Sequence, residues 1–164
     1  REAQRLLAGV ETGELPEEEF ERALAPLLGP QVAPERLLHR LTAAIEPDEP
    51  MVEAVAALRA AGVTTVLVSN SLGMHPYEGL DTDRLFEHVV ISAEVGVRKP
   101  SRRIYEHALE LAGVPAGDAV FVDDFEHNVT AAERLGLRAV LHEAAETTLP
   151  VLRDAFGVDL EVTA

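Results

Sequence analysis

The chain has no cysteine. Disulfides and thiolate metal sites are therefore excluded, and the composition is one that suits a cytoplasm. No apolar run approaches ~18 residues, so no membrane span is expected. Positive charge is scarce: 14 Lys and Arg stand against 29 Asp and Glu, for a formal net charge of -15. That balance argues against nucleic-acid and anionic-membrane partners, and it favours solubility and cation binding. The opening Arg1-Glu2-Ala3-Gln4 has neither a signal-peptide hydrophobic region nor an initiator Met. It lies inside a helical pattern, so a preceding segment is expected. No internal repeat and no low-complexity tract is present.

What is present is enough for one α/β domain with a small appendage: 164 residues, 47% of them apolar. Residues 1–46 read as all-helical. Leu6, Leu7 and Val10 share a face, and Gly13 breaks the pattern. A helix then starts at Pro16 with Glu17, Glu18 and Glu19 at its positive end, and Gly29-Pro30 stops it. Pro34 opens a further helix with Leu37, Leu38, Leu41 and Ile45 on one side. A joint over residues 45–50 places the domain boundary, giving a helical unit at 1–46 and an α/β unit at 47–164. From residue 51 onward, helices alternate with β-branched runs at 64–68, 87–92, 120–122 and 138–141. Such alternation predicts a parallel sheet in a three-layer arrangement.

The most informative stretch is Ala119-Val120-Phe121-Val122-Asp123-Asp124-Phe125-Glu126-His127-Asn128. A buried strand ends in two adjacent carboxylates, at the strand end where open α/β sheets bind ligands. Adjacent acids repel unless a proton or cation lies between them, and Mg²⁺ is a suitable hard cation. Helix capping would explain one of the two, Asp124, but not both. The first strand ends in Ser69 and Asn70, and the loop after the second carries Lys99. In a parallel sheet these groups converge on one edge. A hydroxyl, an amide, an ammonium and a metal-binding acid pair describe a site for a phosphoryl group or similar anion with Mg²⁺. Ser69 as a plain helix cap and Lys99 as a solvated loop residue are the competing readings. His75, Tyr77 and His88 are either neighbours of this site or plain surface residues, and the surface reading is preferred.

The segments Val66-Leu67-Val68-Ser69-Asn70-Ser71, Val97-Arg98-Lys99-Pro100 and Phe121 to Asn128 resemble the second, third and fourth motifs of the haloacid dehalogenase-like hydrolases. The similarity is greatest to the phosphatase-like branch that includes the N-terminal domain of soluble epoxide hydrolase. Residues 13–20 resemble that branch's helical cap. The resemblance implies a Rossmann-like α/β core and Mg²⁺-dependent hydrolysis of a small phosphorylated metabolite through an aspartyl-phosphate. It implies that Ser69 binds the phosphoryl group, that Asn70 shapes the site, and that Lys99 neutralises the phosphate and orients the nucleophile. Asp124 would be the direct metal ligand, Asp123 its assistant, and Asn128 the polar residue that ends the motif. The family's first motif, a strand ending in Asp-x-Asp that carries the nucleophile and the general acid, is expected to be absent, and the chain as written is expected to be inactive. Asp159-Leu160-Glu161 reads as a frayed tail rather than a displaced copy. The alternatives are a non-catalytic module that pairs or homodimerises through an open sheet edge, and a 2-haloacid dehalogenase, against which the acid pair argues.

Overall fold

The computed structural model describes residues 1–70, 77 and 79–160. Ser71 and His75, and the tail residues Glu161 and Thr163, lie outside the described residues. The helical unit contains α1 (Glu2–Glu11), α2 (Glu17–Leu28) and α3 (Leu37–Thr42). Its core is Val10, Phe20 and Leu38, with Leu6, Leu7, Leu15 and Leu24 packed around them. Glu21 is buried in this unit because its Oε1 accepts the backbone N–H of Leu38 at 2.9 Å, tying α2 to α3. The third helix is shorter than expected. Leu37 and Leu38 are buried, whereas Leu41 and Ile45 are exposed, so the expected single apolar face ends after one turn.

The α/β unit runs α4 (Glu49–Ala60), β1 (Val66–Ser69), α5 (Thr82–Leu85), β2 (His88–Ile91), α6 (Ser92–Val95), α7 (Arg102–Ala112), β3 (Val120–Asp123), α8 (Glu126–Leu135), β4 (Arg138–Leu141) and α9 (Ala145–Phe156). Asp48 caps α4 by accepting the Met51 N–H, so the joint between the units belongs partly to this helix. The loop expected after the second strand, which carries Lys99, is preceded by the short α6. Helix α8 starts at Glu126, which puts Asn128 inside its first turn. Ser101 precedes α7 without a side-chain capping bond. No described helix is long and apolar enough to cross a membrane.

The strands are parallel, and period-2 alternation sorts their side chains. Val120 and Val122 pack on α4 and α9 with Ala54, Leu58, Leu149 and Leu152. Phe121 points the other way, into a second core with Val66, Val68, Val90, Ile104, Tyr105 and Ala132. Two helical layers therefore sandwich the strands, as expected. The sheet itself is divided. β1 pairs with β2, Val66 opposite His88 through Ser69 opposite Ile91, and β3 pairs with β4, Val120 opposite Arg138 through Asp123 opposite Leu141. Among the described residues no strand joins β1 to β3. An apolar cleft of about 400 Å³ lies there, bordered by Val66, Val68, Tyr105, Leu109, Val120 and Phe121.

Candidate active site

The carboxyl ends of β1 and β3 border an open cleft of about 730 Å³. Ser69, Asn70, Lys99, Asp123, Asp124 and Asn128 all line it, so the six residues singled out from the sequence meet in space. Leu7 and Glu11 of α1 line it too, which places the helical unit beside the strand ends.

Asp123 is the hub. It is the last residue of β3 and is buried. Its Oδ1 accepts the Phe125 N–H and the Asn128 Nδ2–H, each at 2.9 Å, and its Oδ2 accepts from Lys99 Nζ at 2.7 Å. Lys99 Nζ also donates to the Val68 carbonyl at 2.8 Å and lies 5.7 Å from the centre of the Phe121 ring. One ammonium thus spans from β1 to β3, and its third N–H remains for a ligand. Asn70 is bound to the backbone of Lys99. Its Oδ1 accepts the Lys99 N–H at 2.7 Å and its Nδ2 donates to the Lys99 carbonyl at 2.9 Å. Both ends of that amide therefore hold the lysine backbone in place.

The two neighbouring acids live in opposite surroundings. Asp124 is exposed at the mouth of the cleft and takes no hydrogen bond or ion pair from the described residues. It does not cap α8, whose start carries no side-chain capping bond. Asn128 is 2% exposed, and its Oδ1 has no partner among the described residues. Two hard oxygen acceptors, the Asp124 carboxylate and Asn128 Oδ1, are thus left unsatisfied beside the cleft, a donor set that fits Mg²⁺. The described residues contain no group of three or more metal-binding side chains, so the protein ligands here are few. Mg²⁺ tolerates few, since it keeps several of its waters.

Ser69 is buried, and its Oγ is hydrogen-bonded to the Tyr77 hydroxyl. Burial raises the Tyr77 phenol above its ordinary range, partly offset by that bond. Tyr77 therefore lines the site, the less favoured of its two readings from sequence. Glu11, at the end of α1, is another residue the motifs did not reveal. It is buried and paired with Arg98. Burial raises its carboxyl above the ordinary carboxylate range, opposed by Arg98 and then by Lys99. Glu11 follows Val10 of the α1 apolar face and precedes the Gly13 break, and nothing in that local pattern marks it as buried.

The sequence does contain one Asp-x-Asp triplet, Asp81-Thr82-Asp83, which the motif reading passed over. It does not end a strand. Asp81 caps α5 by accepting the Arg84 N–H at 3.1 Å. The nucleophile motif is thus not met by any described strand.

The family model of haloacid dehalogenase-like hydrolases matches residues 4–136. The chain belongs to the haloacid dehalogenase-like hydrolases. A sesquiterpene phosphatase of Aspergillus oryzae is 29% identical over 119 residues, covering 71% of this chain and 61% of that protein. Bifunctional epoxide hydrolase 2 of Rattus norvegicus is 28% identical over 117 residues, covering 67% of this chain and 21% of that protein. This haloacid dehalogenase-like chain therefore matches only part of either relative's length. Its fold is that of a haloacid dehalogenase-family enzyme from Bacteroides thetaiotaomicron, crystallised with magnesium and inorganic phosphate. The TM-score is 0.70 at 22% identity, covering 88% of this chain and 78% of that one.

Proposed function

We propose that this haloacid dehalogenase-like chain belongs to a Mg²⁺-dependent phosphatase of small phosphorylated metabolites, with residues 1–46 as its cap. The observation that carries the reading is Lys99, held by Asn70 and poised between the ends of β1 and β3 on the Asp123 carboxylate. Its remaining N–H and the Ser69 hydroxyl would bind phosphoryl oxygens. Asp124 would hold Mg²⁺ directly, with Asp123 and Asn128 orienting the site. When bound, the metal supplies positive charge against the phosphoryl oxygens. Asp123 holds the Lys99 ammonium in place, and Leu67, Val68 and Val122 give the cleft apolar walls. The attacking carboxylate would come from an extended segment paired between β1 and β3, where two strand edges face one another. Names of relatives that are phosphatases support the reaction class, and the neighbour holding magnesium and phosphate supports the ligands.

The test is phosphate release from a panel of phosphate monoesters, with Mg²⁺ and with EDTA, by the native-length protein and by these 164 residues alone. Mg²⁺-dependent release by the first and none by the second is expected. No release by the native-length protein on any monoester would sink the reading. The facing, unpaired edges of β1 and β3 also favour a second one, a non-catalytic module that pairs through this gap with a second copy. A stable dimer in light scattering, without turnover, would select it.

A further inference from the structure

Two contacts seat the turn between α1 and α2 on the segment that leads to Lys99. The first is the part-buried pair between Glu11 and Arg98, 87 residues apart in sequence. The second is steric. A Cβ at Gly13 would lie 2.6 Å from the Ala93 carbonyl oxygen, and Gly13 has φ +73°, so the backbone there approaches α6 as only glycine allows. The turn is itself braced, with the Thr12 hydroxyl on the Ala8 carbonyl at 3.0 Å and the Leu15 N–H on the Gly9 carbonyl at 3.0 Å. On the other side, Arg98 begins a tight turn in which its carbonyl accepts the Ser101 N–H at 2.8 Å. Lys99 lies within that turn.

We propose that Glu11 is a positioning residue for the anion site: through Arg98 it fixes the 98–101 turn that presents Lys99. Docking of the helical unit and alignment of the lysine are then one event. A carboxylate this close to two cations has an opposite plain effect as well, since its negative charge offsets Arg98 and disfavours an anion in the cleft. The two effects differ in sign, which makes the role measurable. The proposal rests on the reading of Lys99 as an anion ligand.

The experiment compares Glu11→Gln with the parent chain. It reads hydrogen exchange of the Lys99 amide, with the Leu149 amide of the other core as a control, and the Kd of inorganic phosphate in Mg²⁺ by calorimetry. A charge-assisted bond is worth about tenfold or more in an opening equilibrium. Lys99 exchange is therefore expected to rise about tenfold with Leu149 unchanged, and phosphate to bind about five- to tenfold more weakly. The reversed pair Glu11→Arg with Arg98→Glu should restore much of the Lys99 protection. Lys99 exchange within twofold of the parent, or tighter phosphate binding, would overturn the proposal. If the parent itself has no phosphate affinity, the anion-ligand reading of Lys99 fails and this role for Glu11 falls with it. Should Glu11→Gln not fold, Glu11→Asp, which keeps the charge on a shorter arm, is read the same way.

Discussion

Replacing each of the two neighbouring acids by its amide should give opposite results, although the residues are adjacent and chemically identical. Asp123 receives hydrogen bonds from three groups, and its side chain is 4% exposed. In Asp123→Asn, one oxygen can still accept from Phe125 and Asn128. The new NH₂ then faces the Lys99 ammonium, donor against donor. Lys99, 12% exposed, keeps only the Val68 carbonyl. Breaking one side of a buried ion pair costs about 3–5 kcal/mol. For a chain of this size each kcal/mol moves Tm by about 2–4 °C, so a fall of about 10 °C is expected. Asp124 is exposed and unpartnered, so Asp124→Asn should change stability by about 0.5 kcal/mol at most. It should instead remove the stabilisation that Mg²⁺ produces, which is about 2.7 kcal/mol at a hundredfold excess over Kd. Urea unfolding and calorimetry, with and without Mg²⁺, measure both. Two variants within 1 kcal/mol of one another in the absence of metal would refute the division of labour between these acids.

Asn70→Ala removes both bonds that hold the Lys99 peptide and leaves a partly buried N–H and C=O unpaired, for an expected loss of about 2–4 kcal/mol in urea. Asn70→Asp, which keeps the acceptor only, should lose less. Gly13→Ala meets both a left-handed φ and the Ala93 carbonyl, so a loss of about 2 kcal/mol or more is expected; a neutral result by thermal unfolding would mean that α1 and α6 do not touch in solution. Glu11 has its folded pKa raised by burial against the opposing pull of Arg98 and Lys99. The folded state therefore binds more protons than the unfolded one as pH rises above the ordinary value of 4.5, and stability falls across that window. The stability of the parent relative to Glu11→Gln should decline with rising pH from 4.5; a difference that grows with pH would contradict the burial argument.

Much of this protein was readable because local chemistry repeats along the chain. β-branched runs closed by polar residues marked the strands and their functional ends, and glycines past the last helical turn marked where helices stop, as at Gly113 and Gly136. Parallel strands then require every such end to fall on one edge, so Ser69, Lys99 and Asp123 could be grouped before any geometry was known. Three motifs in that order also pointed to the family. What spacing cannot convey is the environment of each side chain. Asp123 and Asp124 are chemically identical neighbours, and only the fold buries the last residue of β3 against Lys99 and leaves the next one exposed beyond the strand. Asn70 is tied to the Lys99 backbone by a contact 29 residues away, and Glu11 finds Arg98 across 87. The division of the sheet is likewise a matter of which strand edges meet, and edges are properties of neighbours. Period and punctuation are local and survive in one dimension; burial, partner and charge balance are set by groups distant in the chain, so they exist only once the chain has folded.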